Sequence, residues 1–146
     1  CIHCHRASKI IIDGDKVQMI TGGEDVYREP SYLNKLTGVG GVLYPADCFY
    51  KDILNEELFM KLCPHNDDTW FWLMGALNGY KVNVIKHNDI SLNFIGDTQE
   101  GPCLWKVNNR QTNYFYKELD NMFEYYADLH LKELLLNDQT ALDKNK

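Results

Sequence analysis

The chain of 146 residues is 45% hydrophobic, which is enough for one domain, or for part of a larger one, with a substantial core. Its formal net charge of −6 argues against nucleic-acid binding, which depends on clustered Lys and Arg residues. No apolar run approaches the roughly 18 residues that span a bilayer, and no secretory signal opens the chain.

The cysteines and the first residue indicate the cellular setting. Five cysteines form an odd set without the spacing of a disulfide framework, so we expect reduced thiols in a cytoplasmic protein. Because the sequence opens on Cys1-Ile2 rather than on Met, we also expect a native N-terminal part ahead of it.

The first five residues, CIHCH, match a haem-attachment pattern and offer four side chains of the kind that zinc accepts. Haem attachment needs an export context, however, and structural zinc needs a second pair of ligands at suitable spacing. The alternation of the four side chains fits a strand with two faces. We therefore favour a strand and assign no metal ligands in this chain.

Residues 8–20 carry the clearest hairpin signal, because two β-rich runs flank Asp13-Gly14, a pair that favours a type I′ turn. The same residues also read as Asp13-Gly14-Asp15, an acidic pattern that can hold a divalent cation on a diphosphate. Since the β pattern resumes immediately at Lys16, we predict a hairpin that binds no catalytic metal.

A polar loop is predicted at residues 21–34, followed by a strand at residues 38–44 that is interrupted by glycines. Glycines inside an apolar strand mark the close approach of another backbone or of a ligand. Tight packing against a helix explains them equally well, and the spacing does not decide between the two.

Two helical regions follow, near residues 47–63 and 67–78. Asn55 is the predicted N-cap within the first region, and Pro64 ends that pattern. The second helix is apolar nearly all round and should therefore be buried.

The second helix begins with two adjacent acids, Asp67 and Asp68, between His65 and Trp70. Carboxylates in a first turn are favoured by the helix dipole, each by ~0.3–1 kcal/mol when exposed. One acid would satisfy that preference. The pair, set beside an imidazole and an indole, suggests a site for a polar, ring-shaped ligand.

Residues 81–85 alternate as a short strand, and residues 86–113 read as a loop. A long amphipathic helix is predicted at residues 114–136. Its polar face is acidic rather than basic, which favours docking on the domain over a membrane surface; these acids are Glu118, Asp120, Glu124 and Asp128. Residues 137–146 are predicted to be a polar tail, whose last four residues, DKNK, are expected to be disordered. These elements predict an α+β fold, in which a mixed sheet with a β-hairpin is packed by three to four helices.

Five short motifs occur together between residues 4 and 79. They are Cys4-His5-Arg6, the run TGVGGVLYP from Thr37 to Pro45, Leu62-Cys63-Pro64, Asp67-Asp68-x-Trp70 and Leu77-Asn78-Gly79. As a set they resemble the C-terminal half of bacterial GT-A-type glycosyltransferases related to family 2, which assemble capsule and lipopolysaccharide sugars. The resemblance covers roughly residues 4–85 and assigns residues 1–136 to one acceptor-side unit.

The resemblance implies a partial GT-A-like fold whose nucleotide-binding half is missing ahead of Cys1. It also implies transfer of a sugar from a nucleotide-sugar donor to a saccharide or lipid-linked acceptor, at the inner face of the membrane. The divalent metal, Mn or Mg, would be held by a motif in the missing half. The full-length form, rather than this chain alone, is then the expected enzyme.

The second acid of the pair, Asp68, is the general base that this resemblance implies, and Asp67 is its supporting partner. The helix N-terminus should keep Asp68 charged, which also makes it a weaker base, so positioning must supply much of the effect. We expect the carboxylate to share a cleft with Gly40 or Gly41. The predicted substrate-binding residues are Gly40, Gly41, Tyr44, His65 and Trp70. A non-catalytic saccharide-binding or assembly domain that retains the fold is the alternative.

Overall fold

A computed structural model describes residues 1–21, 26–85 and 114–144 of the chain. Within these ranges the protein forms two three-stranded sheets and four α-helices, which confirms the predicted α+β class. None of the helices in these ranges is long and apolar enough to cross a membrane.

The first sheet is mixed and has the strand order β5-β1-β6. Its central strand β1, Ile2–Cys4, pairs antiparallel with β5, Val42–Leu43, and parallel with β6, Val82–Val84. Ile2 and Cys4 are fully buried, so the CIHCH segment is a strand with two faces, as predicted. The predicted strand at residues 81–85 is confirmed as β6.

The second sheet is antiparallel; its central strand β2, Ala7–Asp13, lies between β3, Lys16–Ile20, and β4, Asn34–Leu36. The predicted hairpin is confirmed: β2, Ala7–Asp13, pairs with β3, Lys16–Ile20. A type I′ turn would need positive φ at both central residues, whereas only Gly14 has it, at 59°. The expected turn type is therefore wrong. The expectation of a single sheet is also wrong, because the hairpin and β4 form a second sheet.

The glycine-rich segment is a turn rather than a strand over residues 38–44. Only Val42–Leu43 is a strand, and the Gly41 amide donates to the Gly38 carbonyl at 3.1 Å. Just before this turn lies β4, Asn34–Leu36, a strand that the sequence did not predict; only its first residue belongs to the predicted loop. All three β4 residues are buried, because β4 lies between β2 and the helix at residues 67–77.

The first predicted helical region is shorter than expected. A 3₁₀ turn covers Lys51–Leu54, and helix α1 covers Glu56–Leu62. Asn55 is its N-cap, as predicted, and accepts the Leu58 amide at 3.1 Å.

Helix α2, Asp67–Leu77, confirms the second prediction and forms the centre of the core. Trp72, Leu73 and Met74 are at most 1% exposed. A β-carbon at Gly75 would come within 2.6 Å of Ile2 Cδ1, so this glycine lets α2 approach the first sheet. Tight packing therefore explains this glycine.

The predicted helix at residues 114–136 is two helices, α3 at Tyr114–Tyr125 and α4 at Leu131–Lys144. A 3₁₀ turn at Ala127–Leu129 and His130, with φ of 55°, separate them. The predicted polar tail is helical up to Lys144, and this includes the first two of the four residues that were predicted to be disordered. Glu118, one of the four acids on the polar face of the predicted helix, is buried and only 2% exposed.

Asp138 shows why α4 continues past the predicted end of the helix. Its carboxylate accepts bonds from the Ser31 hydroxyl at 2.6 Å, the Tyr32 amide at 2.8 Å and Lys81 Nζ at 2.6 Å. Since these three partners lie next to β4 and β6, α4 is fastened to both sheets.

Candidate functional site

Asp68 lies in the first turn of α2, and its carboxylate is fixed by the glycine turn. Oδ1 accepts the Gly38 amide at 2.9 Å. A β-carbon at position 38 would lie 2.9 Å from the same oxygen, so only glycine leaves room for this bond. The expected neighbours Gly40 and Gly41 are not the residues that bind Asp68; Gly38 is.

The half-buried position of Asp68 determines its electrostatics. Burial raises the pKa of the Asp68 carboxyl, and the charge of Asp67 adds to this. The positive charge of Lys35 and the Gly38 amide lower the pKa, but the net shift is upward. The sequence predicts that the helix terminus makes Asp68 a weaker base. Instead, burial makes it a stronger one.

Asp67 faces a different environment from Asp68. It is exposed, and its Oδ1 accepts the Asp68 amide at 2.9 Å. It also contributes to the lining of a groove of about 350 Å³, which we call the α1–α2 groove. The lining residues are Ile53, Leu54, Glu56, Phe59, Asp67, Trp70 and Phe71. The groove is therefore mostly apolar and aromatic, with two carboxylates.

Trp70 belongs to the wall of the α1–α2 groove rather than to an open platform. Its side chain is 2% exposed, and Nε1 donates to the Ile53 carbonyl at 3.2 Å. The indole also packs against Phe59, with ring centroids 5.7 Å apart. The half-buried rings of Phe59 and Phe71 are the more accessible aromatic surfaces there.

Tyr44 lies on the Asp68 side of α2. Its ring packs against Phe49 at 4.9 Å and against Phe71 at 5.8 Å. Burial raises the pKa of the Tyr44 phenol, and the charge of Asp68 is the next largest cause. The structure thus brings Tyr44 into the electrostatic neighbourhood of Asp68, and Phe71 links it to the α1–α2 groove.

Gly40 and Gly41 shape the turn that presents Gly38. Their φ angles are 102° and 98°, a region that favours glycine. The Gly41 carbonyl accepts the His5 amide at 3.3 Å, which fixes the turn to the end of β1. These residues therefore act on the site through backbone geometry.

His65 is bound to α3 instead of pointing into the α1–α2 groove. Glu118 Oε1 accepts the His65 amide at 2.9 Å and lies 3.0 Å from Nδ1. The imidazole also stacks on Tyr114 at 3.8 Å. Glu118 Oε2 accepts Asn66 Nδ2 at 2.6 Å. The buried Glu118 thus fixes the turn immediately before the acidic pair.

Lys35 is the site residue that the sequence did not predict. It lies in β4, is 6% exposed, and has Nζ 5.6 Å from the centre of the Phe115 ring. Burial lowers the pKa of the Lys35 ammonium, and the charges of Asp68 and then Asp67 act against that shift. Lysines are rarely fully buried, and no local pattern distinguishes this one from a surface lysine.

The structure does not test the prediction that the hairpin of Asp13 and Asp15 binds no catalytic metal. Among residues 1–21, 26–85 and 114–144, no group of three or more His, Cys, Asp or Glu side chains could hold a metal ion.

In comparisons with known proteins, no family model, no curated protein and no solved structure matches the chain. Function therefore has to be inferred from the motifs and the geometry of the site.

Proposed function

We propose that this chain is the acceptor-side part of an inverting glycosyltransferase. The complete enzyme would move a sugar from a nucleotide-sugar donor to a saccharide or lipid-linked acceptor in surface polysaccharide synthesis. The observation that carries the proposal is the half-buried Asp68 carboxylate, whose pKa is raised by burial and whose orientation is fixed by the Gly38 amide. A base with these properties suits deprotonation of a sugar hydroxyl.

Asp68 acts as the general base in the proposed reaction. Its carboxylate removes the proton of an acceptor hydroxyl as that oxygen bonds to the anomeric carbon of the donor sugar. The bond between that carbon and the diphosphate breaks on the opposite face, and the nucleotide diphosphate leaves with the electron pair. The proton on Asp68 then passes to water, which restores the carboxylate.

The fixed position of the Asp68 carboxylate supports this role. Gly38 holds one oxygen at 2.9 Å, so the other oxygen has a defined direction towards an incoming hydroxyl. Asp67 is the supporting partner, because it accepts the Asp68 amide and lines the α1–α2 groove.

The α1–α2 groove is the proposed place for the acceptor. Its aromatic walls offer apolar surface to a sugar ring, while Glu56 and Asp67 offer carboxylate oxygens that accept hydroxyl hydrogens. Tyr44 packs against Phe71, and the charge of Asp68 contributes to the raised pKa of its phenol. The acceptor would therefore lie in the groove against Asp67, and its reacting hydroxyl would extend along the first turn of α2 to reach Asp68.

The donor diphosphate and the divalent Mn or Mg would be bound by the nucleotide-binding half that the motif resemblance implies. The described residues of this chain do not offer a suitable ligand cluster. The proposed steps therefore use only the side chains of this chain.

We also propose a cytoplasmic location at the inner face of the membrane, in keeping with the free thiols of Cys4, Cys48 and Cys63.

A non-catalytic saccharide-binding domain is the second candidate, because the aromatic and acidic lining of the α1–α2 groove would serve binding without transfer. The two candidates differ in what they require of Asp68. Binding needs a groove and hydrogen-bond acceptors, whereas transfer needs a basic oxygen at one defined position.

The deciding experiment compares Asp68→Asn with Asp67→Asn in the full-length protein. Nucleotide sugars are screened with saccharide and lipid-linked acceptors, and saccharide binding to each variant is measured by calorimetry. The amide oxygen introduced by Asp68→Asn can still accept the Gly38 amide, so the fold should remain intact. We expect transfer to fall by roughly 10²-fold or more in Asp68→Asn and by less in Asp67→Asn.

Two results would contradict the catalytic proposal. One is full transfer activity in folded Asp68→Asn protein. The other is saccharide binding that is unchanged in Asp68→Asn, together with no transfer from any tested donor. This second result would support the binding domain instead.

A further inference from the structure

The side chains of the α1–α2 groove offer a ligand hydrogen-bond acceptors without matching donors. Glu56 and Asp67, the first residues of α1 and α2, contribute carboxylates, which accept hydrogen bonds and, when ionised, cannot donate them. Among the described residues that line the groove, Trp70 alone has a side-chain N–H, and this N–H is already bonded to the Ile53 carbonyl at 3.2 Å. The groove therefore suits a ligand group that donates hydrogen bonds and accepts none.

The carboxylates of the groove are not balanced by a basic residue in its lining. No Lys, Arg or His is among the described residues that line it. The lysines of the neighbouring elements lie over tyrosine rings instead. Lys51 Nζ is 5.6 Å from the centre of Tyr50. Lys61 Nζ is 5.9 Å from the centre of Tyr125. Because a helix N-terminus contributes only about half a positive charge, the groove keeps a negative character that disfavours acidic and phosphorylated sugars.

Aromatic rings complete the lining. Phe59 and Phe71 are half-buried and border the same groove as the two acids. The face of an aromatic ring attracts a cation within about 6 Å of its centre and also offers apolar surface. The groove volume of about 350 Å³ lies at the lower end of the ~300–1,000 Å³ range of small-molecule sites. A small ligand with both an ammonium and an apolar face would match the acids and the rings together.

We propose that the α1–α2 groove binds an amino sugar through its protonated amino group. Glu56 and Asp67 accept the ammonium hydrogens, while the two phenylalanine rings pack against the sugar. An ammonium has three donors and no acceptor, which is the complement of this lining. The lone pairs of a neutral sugar's hydroxyl groups would find no unoccupied side-chain donor here. The role of the amino sugar as acceptor in transfer rests on the proposed function, whereas its binding does not.

The test compares the methyl glycosides of glucosamine, glucose and N-acetylglucosamine in NMR titrations of the full-length protein, at a pH where the amine is protonated. The three ligands share one ring and differ at one position, which carries an ammonium, a hydroxyl or a neutral amide. We expect methyl glucosaminide to bind roughly tenfold more tightly than the other two, because it alone can form ion pairs and cation–π contacts. Equal binding of the three would overturn the proposal.

Ethanolamine separates an amino-sugar site from a site for any amine. It carries an ammonium and a hydroxyl but no ring, so it cannot use the aromatic lining as a sugar does. We expect it to bind more weakly than methyl glucosaminide. Equal affinity of the two compounds would overturn the assignment to a sugar.

The variants Glu56→Gln and Asp67→Asn remove the charges with little change in size, and Glu57→Gln is the matched control. Glu57 is the exposed neighbour of Glu56 on α1 and is not among the lining residues. Asparagine at position 67 can still accept the Asp68 amide. We expect each of the first two changes to weaken methyl glucosaminide binding several-fold, and the control to leave it unchanged. A preference for the amine that persists in the double variant would overturn the proposal.

A pH series on the unaltered protein provides a test that does not depend on any variant. As the pH rises through the titration of the ligand's amine, the ligand loses its charge and gains an acceptor lone pair. Its affinity should then fall to that of methyl glucoside, which has no ionisable group and should bind equally across the series. A preference for methyl glucosaminide that remains after deprotonation would contradict recognition of an ammonium.

Failure of the proposed function would be distinguishable from failure of this inference. Binding that depends on the amine, without transfer from any tested nucleotide sugar, would support the inference and the saccharide-binding domain. Transfer to acceptors that lack an amine, with no preference for methyl glucosaminide in binding, would overturn the inference and leave the proposed transferase in place.

Discussion

Gly38 shows how a single missing β-carbon controls the candidate base. Its φ is not in the left-handed region, so alanine is compatible with the backbone, yet the added carbon would lie 2.9 Å from Asp68 Oδ1. Gly41 is the reverse case. Its β-carbon would meet nothing within 4 Å, whereas its φ of 98° is unfavourable for alanine. The two glycines thus separate steric contact from backbone strain.

We expect Gly38→Ala to displace the Asp68 carboxylate while changing stability little. A displacement of about 1 Å at a catalytic group can lower turnover by about 10²-fold, so transfer should fall by roughly that factor. Gly41→Ala should instead lower the free energy of unfolding by about 1 kcal/mol or more. Transfer rates and chemical denaturation of both variants check this pair of outcomes. Equal loss of transfer in two equally stable proteins would contradict it.

The residues of the site also show the limit of sequence-based reasoning. The pair Asp67 and Asp68 is predictable from its place ahead of an apolar helix, and both acids do lie in the first turn of α2. The bond from the Gly38 amide to Asp68 is not predictable, because it joins residues 30 positions apart, and neither is the burial of Lys35, which depends on tertiary packing. His65 is a candidate by its neighbours in sequence, but its partners are on α3.

At the scale of elements, the sequence predicts the features that depend on neighbouring residues, such as turns and helix caps. The hairpin has a glycine at its turn, and α1 has an asparagine cap at Asn55. Strand β4 is missed because two of its three residues, Asn34 and Lys35, are polar and are buried only by tertiary packing. The break between α3 and α4 is missed because His130 adopts a left-handed conformation that carries no Gly or Pro signal.

The connection between α2 and α3 depends on Glu118, and its removal should affect both stability and the site. Glu118→Ala removes the acceptor for the His65 amide and for Asn66 Nδ2. Bonds to a buried charged group are worth about 1.5–3 kcal/mol, so we expect the free energy of unfolding to fall by about 3 kcal/mol. Denaturant unfolding measures the change.

The matched control is Glu124→Ala, because Glu124 is an exposed acid on the same helix. Its effect should stay within about 0.5 kcal/mol, as is usual for surface substitutions. In Glu118→Ala, saccharide transfer should also decrease, since the turn before Asp67 loses its anchor. An equally small change in both variants would show that Glu118 does not hold the two helices together.

At the scale of the whole molecule, the last helix closes the fold. Asp138 connects α4 to the segment before β4 and to the residue before β6, and Gln139 accepts the Ile12 amide at 3.4 Å. The sequence predicts a polar tail in this region. The structure instead makes it a support for both sheets.

We therefore expect Asp138→Ala to be strongly destabilising. Three donors lose a buried acceptor, and the charge of Lys81 loses its partner, which together should lower the free energy of unfolding by about 3 kcal/mol. Asn137→Ala is the control, because Asn137 is the exposed neighbour on the same helix. Thermal unfolding followed by circular dichroism compares the two. A similar melting temperature for both variants would show that residues 137–144 do not support the two sheets.

The long reach of these anchors has a consequence for the order in which the chain becomes functional. Asp68 is joined to Gly38 across 30 positions, Glu118 to His65 across 53, and Asp138 to Ser31 across 107. Contacts at such separations close large loops and form late in folding. A nascent chain that has left the ribosome as far as residue 85 already carries both acids, but not the two helices that fix their surroundings. The surroundings of Asp68 are thus completed only after α3 and α4 have been synthesised.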